Sequence, residues 1–261
     1  MPVDLAYDVT GDGPPLVILH GLFGSARNWR AIARGLAASH RVFSLDLRNH
    51  GDSPWAPDMS YEAMAGDVRA FIESKDIVGA AVLGHSMGGK AAMALALAHP
   101  DLIGALIVVD VAPVTRPPEL RAYTRAMAAV DLSLVSRRAD ADRLLTEAVD
   151  DRRIRAFLVQ NLVLRDGRPG WRLNLEAIDR QMEIIGGFPE HLLERRYDGP
   201  THFITGAQSG YVKPEHRDLI LHLFPATTLS VIAGAGHWVH AEKPDSFQRA
   251  VVRFLGTAHR H

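Results

Sequence analysis

The sequence predicts an α/β fold, a mostly parallel central sheet with helices on both faces and a helical segment inserted late in the chain. Three observations predict it. Short apolar, β-branched runs alternate with helical patterns through the first 111 residues, as buried parallel strands joined by crossover helices do. The alternation lapses between residues 112 and 196, where amphipathic helical patterns follow one another without a strand. It then resumes, so the later strands complete the sheet that the earlier ones began.

The strands of the first part run Leu16–His20, Val42–Asp46, Ala80–Gly84 and Leu106–Asp110, each an apolar run too short for a helix. Between them Arg27–Ala38, Ser60–Lys75 and Met87–His99 carry helical spacing. Ser60 reads as the N-cap of the second helix, although Ala63 denies it a capping box. Prolines 113, 117 and 118 open the inserted segment, with helices at Glu119–Val130, Leu132–Val149, Arg152–Leu164 and Leu175–Ile185 and a turn cluster at Asp166-Gly-Arg-Pro-Gly170. Strand His202–Thr205, helix Pro214–Leu223, strand Leu229–Ile232 and helix Pro244–Leu255 follow, and His259-Arg-His261 reads as a frayed tail. The expected organisation is a core of residues 1–111 and 197–261 interrupted by a helical cap, 112–196.

A chain of 261 residues accommodates one such domain with its insertion. With 29 basic against 30 acidic residues and 47% hydrophobic residues, disorder and a polyanionic partner are not expected, and nucleic acid is excluded on charge grounds. The absence of cysteine removes disulfides, a thiolate nucleophile and cysteine-ligated metal sites. No targeting segment and no apolar run of ~18 residues is present, so a cytoplasmic protein without a membrane span is expected.

Residues 82 to 92, VLGHSMGGKAA, admit two mechanisms. Gly84-His-Ser-Met-Gly-Gly-Lys90 nearly completes a phosphate-binding loop, and Ile107-Val-Val-Asp110 resembles a magnesium-holding strand end. Position 91 is alanine where that loop needs a hydroxyl for magnesium, and the motif lies deep in the strand order rather than opening the fold. The competing reading is complete: Gly84-His-Ser86-Met-Gly88 is a G-x-S-x-G nucleophile turn, whose glycines permit the sharp passage from strand to helix. A serine hydroxyl needs a base and a group to orient that base. Ala233-Gly-Ala-Gly-His237-Trp follows the last strand and supplies His237 as the base. His237 and His240 also form a His-x-x-His pair, but no glutamate-containing zinc signature accompanies them. The backbone N–H of Met87 and that of Leu22, in His20-Gly-Leu-Phe-Gly-Ser25, are the expected oxyanion donors, with Phe23 as the fallback. Lys90, one helical turn beyond Ser86, is expected to be an ordinary surface lysine.

Together with Asp46-Leu-Arg-Asn-His-Gly-Asp-Ser53, Val109-Asp-Val-Ala-Pro-Val114 and Ala235-Gly-His-Trp-Val-His240, these segments resemble the α/β-hydrolase superfamily, and more narrowly the small YbfF-like esterases. The resemblance spans nearly the whole chain, including Asn161-Leu and Trp171-Arg-Leu-Asn174. It implies an α/β-hydrolase fold and a Ser–Asp–His order, which excludes Asp46, Asp52 and Asp245 as the orienting acid. In much of the superfamily that acid follows the penultimate strand, where this chain has Ser209. Some relatives place it one strand earlier, which selects Asp110, with Asp179 as the alternative.

The implied activity is that of a serine hydrolase, a carboxylesterase or thioesterase for short to medium acyl esters, acyl-CoA included. The triad is Ser86, His237 and Asp110; no metal or organic cofactor is needed, and the partner is a small ester or thioester. Pocket apolars are expected among Phe23, Met127, Phe157, Trp171, Tyr211 and Trp238, and Arg121, Arg125, Arg152, Arg153 and Arg155 are available for a CoA phosphate. The rivals are a P-loop nucleotide binder, another α/β-hydrolase chemistry such as C–C bond hydrolysis, and a non-catalytic receptor.

Overall fold

The computed structural model describes residues 1–165 and 168–258. Seven strands form one sheet in the order β1-β3-β2-β4-β5-β8-β9. They are β1 (Tyr7–Thr10), β2 (Pro15–Leu19), β3 (Arg41–Leu45), β4 (Ala80–His85), β5 (Ile103–Val109), β8 (Thr201–Gly206) and β9 (Thr227–Ile232). Every pairing is parallel except that of β1 with β3. The central strands read as unbroken apolar runs because both faces are covered. On β2, Leu16 and Ile18 enter one core while Val17 and Leu19 enter the other; on β5, Ala105, Ile107 and Val109 alternate in the same way with Leu106 and Val108.

The first core lies under α1 (Arg30–Leu36) and α11 (Pro244–Ala258), through Ile32, Leu36, Phe247 and Val251. The opposite core takes α2 (Tyr61–Ser74), α3 (Met87–Ala98) and α9 (Arg217–Leu223), through Met64, Val68, Leu95 and Leu223. Ser60 caps α2, its hydroxyl accepting from Ala63 N–H at 3.3 Å. Between β5 and β8 the chain leaves the sheet through α4 (Arg121–Ala128), α5 (Arg138–Leu144), α6 (Arg152–Val159), strands β6 (Leu162–Arg165) and β7 (Arg168–Trp171), α7 (Leu175–Arg180) and α8 (Met182–Gly186). One further turn, α10 (Val239–Glu242), follows β9.

Local expectations are corrected at several points. β1 was not expected, because an edge strand with alternately exposed positions carries little apolar signal. The segment expected to hold no strand contains the β6–β7 antiparallel hairpin, and the helix expected to reach Leu164 stops at Val159. The long helix expected from Leu132 survives only as α5, because Asp131 caps Ser133 N–H and Asp140 accepts from Ser136 and Arg137, breaking the run with side-chain caps. The helix expected over Leu175–Ile185 divides at Gln181 into α7 and α8. Arg168 to Gly170 of the expected turn cluster belong to β7, while Asp166, Gly167 and the tail His259–His261 lie outside the described residues.

Candidate active site

Ser86 sits between the end of β4 and the start of α3 with φ 53° and ψ −117°, a conformation that costs a non-glycine residue about 1–3 kcal/mol. The surroundings enforce it. Ser86 N–H donates to Val109 O and Ser86 O accepts from Lys90 N–H, both at 3.0 Å. A Cβ on Gly84 would stand 2.1 Å from Gly88 O, and one on Gly88 would stand 2.5 Å from both Leu19 O and His20 O. The two glycines of the motif are therefore required by backbone-to-backbone contact, and Met87 opens the helix with its N–H beside the serine.

The loop after β2 is shaped from below. Phe23 has φ 62°, and its N–H donates to His50 Nε2 at 3.2 Å, which engages the fallback amide and leaves Leu22 as the donor candidate in that loop. His50 Nδ1 donates to Arg48 O at 2.9 Å; His20 Nδ1 donates to Gly21 O at 2.8 Å while its Nε2 accepts from Leu47 N–H at 2.9 Å. Both rings thus serve as neutral imidazoles, and burial pushes His20 down to about 4 and His50 to about 3. Asp46 completes the support by accepting from Ala26 N–H and Asp52 N–H. The sequence presented this Asp46–Ser53 segment only as part of a resemblance; its contacts to the loop are tertiary.

Asp110 follows β5 with φ 50° and is fully buried. Its Oδ1 accepts from Thr205 Oγ1 at 2.6 Å and Gly206 N–H at 3.1 Å; its Oδ2 accepts from Ser209 Oγ at 2.5 Å and His237 Nδ1 at 2.7 Å. Ser209, beyond the end of β8, reaches to the carboxylate that follows the neighbouring strand. Its oxygen also accepts from Tyr211 N–H, and the Tyr211 ring stacks on His237 with centroids 3.8 Å apart. On the other side His85 Nε2 donates to His237 O at 3.0 Å. Neither Ser209 nor His85 was expected to contribute, since their roles depend on which strands and loops become neighbours.

Ser86 and His237 line one cavity of about 310 Å³, together with Phe23, Phe157, Tyr211 and Trp238. No hydrogen bond joins Ser86 to His237 among the described residues; such pairs are often long in resting sites and tighten on substrate.

A family model described as alpha/beta hydrolase fold matches residues 14–244. This chain belongs to the α/β-hydrolase fold family. Among curated relatives of this α/β-hydrolase, the mouse protein named sn-1-specific diacylglycerol lipase ABHD11 is 42% identical, over 97% of this chain and 86% of its own. Esterase YbfF of Escherichia coli is 40% identical over 92% of each chain. A solved marine microorganism esterase superposes with a TM-score of 0.93 at 36% identity, covering 97% of this chain and 99% of that one. The class these relatives share, and to which this α/β-hydrolase belongs, is carboxylic ester hydrolase.

Several expected residues lie elsewhere in this α/β-hydrolase. Met127 is fully buried among the helices between β5 and β8, and Trp171, the last residue of β7, packs against the same hydrophobic cluster; neither lines the cavity. Asp179 pairs with Arg125 at 3.2 Å and with Arg121 at 3.7 Å, away from His237. Arg153 and Arg155 pair with Asp151 and Asp142, and none of the five arginines considered for a phosphate lines the cavity. His240 stacks on Trp29 at 4.1 Å, and no cluster of three metal-ligating side chains occurs among the described residues.

Lys90 is corrected outright. It is 3% exposed, and Nζ donates to Val114 O, Gly186 O and Gly187 O at 2.8, 2.7 and 2.6 Å. Burial pushes its ammonium down to about 7. A lysine whose donors are all engaged by backbone carbonyls is not available to cradle a phosphate.

Proposed function

We propose that this carboxylic ester hydrolase is a serine esterase acting through an acyl-enzyme, with Ser86 as nucleophile, His237 as general base and acid, and Asp110 as the group that orients His237. The observation that carries the reading is an imidazole held at Nδ1 by a buried, fourfold hydrogen-bonded carboxylate and lining the same cavity as a serine on a strained turn. Ser86 Oγ attacks the ester carbonyl as His237 takes its proton. The N–H groups of Leu22 and Met87 stabilise the oxyanion, and His237 returns the proton to the leaving oxygen. Water then repeats the sequence on the acyl-enzyme.

Residues 112–196 act in this reading as the cap, because Leu120, Tyr123, Ile154, Phe157 and Leu158 roof the cavity and fix which substrates enter. Short to medium acyl esters are the substrate class, thioesters included; paired cap arginines make a CoA phosphate contact at the cavity unnecessary to the proposal. The test is a Ser86→Ala variant assayed on activated esters beside a fluorophosphonate serine label. Loss of labelling and a fall in kcat on the order of 10³-fold or more are expected. Full turnover by Ser86→Ala would overturn the mechanism.

A further inference from the structure

Ser86 lines a second cavity besides the one it shares with His237. This one is about 60 Å³, against about 310 Å³ for the first, and Leu22, Met87, Lys90, Met182 and Ile185 also line it, whereas His237 does not. We infer that the small cavity receives the acyl group and the large one the alcohol, so that the substrates are short, uncharged acyl groups carried on large apolar alcohols. The inference rests on the serine esterase reading and follows from the stereochemistry of the step.

When the Oγ–carbon bond forms and the carbonyl π pair moves onto oxygen, the tetrahedral carbon carries four groups: Ser86 Oγ, the oxyanion, the leaving oxygen and the acyl carbon. The oxyanion takes the Leu22 and Met87 amides. The leaving oxygen must receive the proton held by His237 as its bond to carbon breaks, so it lies on the side that His237 lines. The acyl carbon is left with the direction into the other cavity.

The size of that cavity then limits the chain. At ~10–15 Å³ per water-sized group, its volume holds roughly four to six groups, so the acyl chain is limited to about six carbons beyond the carbonyl. Lys90 stoppers it: the ammonium is pinned by three carbonyls, and Met182 and Ile185 close the apolar wall. Arg116 and Glu119 stand in the rest of its lining among Pro117, Pro118, Leu120 and Tyr211, so a longer apolar chain would be brought against charged groups. Lys90 has no donor to offer an acyl carboxylate, while Arg116 already donates to Gly210 O and lies 4.2 Å over the Tyr211 ring. The large cavity is walled by Phe23, Leu120, Tyr123, Ile154, Phe157 and Trp238, as an apolar alcohol requires.

Two ester series on the purified protein test the partition. With decanol fixed and the acyl chain lengthened, kcat/KM is expected to fall at least tenfold between butanoate and octanoate. With butanoate fixed, it is expected to rise from the methyl to the decyl ester. Met182→Ala, with Ile185→Ala as a second variant should the first not fold, is expected to move the acyl optimum two or more carbons longer while the order of alcohols stays the same. Rates that climb with acyl length, a hemisuccinate ester turned over faster than the butanoate, or a variant that alters the alcohol series instead would each overturn the partition. Serine labelling of the same samples reads the nucleophile separately, so the partition can fail while the esterase reading stands.

Discussion

Ser209 shows how a residue without charge serves the proposed triad. Its hydroxyl donates to Asp110 Oδ2 and accepts from Tyr211 N–H, so one oxygen ties the carboxylate to the loop whose tyrosine stacks on His237. Ser209→Ala removes one charge-assisted hydrogen bond, worth about 1.5–3 kcal/mol, and leaves the substrate cavity untouched. A fall in kcat of about 10- to 100-fold with KM unchanged is expected from steady-state kinetics. Asp110→Asn is expected to cost far more, on the order of 10³- to 10⁴-fold, because an amide holds the imidazole in the wrong tautomer. Asp179→Asn is expected to leave turnover within about twofold, as a surface change away from the site does; the reverse ranking would move the acid into the cap. At this scale the contact of His237 with Asp110 and the cavity His237 shares with Ser86 were foreshadowed by the glycine-flanked motifs and, for Asp110, by the family resemblance. Ser209 was not, since nothing local pairs it with a residue 99 positions away.

Among the elements, α3 joins the sheet to the segment between β5 and β8. It is buried along eleven of its residues, which is why a lysine within it is buried too. The sequence held that signal: Met87 to Ala98 is apolar all round, and such a helix leaves no face for solvent. Lys90→Met would leave three carbonyls, near the two ends of the segment between β5 and β8, without their donor. A loss of about 2–4 kcal/mol is expected from denaturant unfolding, in line with the cost of buried unsatisfied acceptors. The β6–β7 hairpin escaped the sequence reading. Just past the end of α6, Asn161 donates to Phe23 O at 2.9 Å and to Leu158 O at 3.2 Å, and its contact to the loop after β2 is one that periodicity cannot reveal.

In the molecule as a whole, His20, His50, His85 and His240 are all buried, and burial is the first cause holding each below its ordinary value. His20 is pushed to about 4 and His50 and His240 to about 3, whereas an unfolded chain titrates near ~6.5. The unfolded state therefore binds more protons between those values. Stability is full above pH ~6.5 and falls as the pH drops toward ~4, by up to about 1.4 kcal/mol per pH unit for each such histidine. Urea midpoints are expected to decline steeply over that window, with an uptake of several protons on unfolding. A midpoint constant from pH 7 to pH 4.5 would contradict the neutral, buried state of these rings.

Apolar runs, glycine spacing and chain order determined by themselves the parallel sheet, the strained serine turn, the histidine loop and the segment that interrupts the sheet, because each is written in residues adjacent along the chain. Only the tertiary structure decided that Lys90 is a buried latch, that Phe23 N–H is engaged by His50, that Ser209 serves the carboxylate of another strand, and that Met127 and Trp171 stand outside the cavity. The physical reason is shared: a hydrogen bond or a cavity wall depends on which strands become neighbours, and that is settled when the two cores close on the sheet.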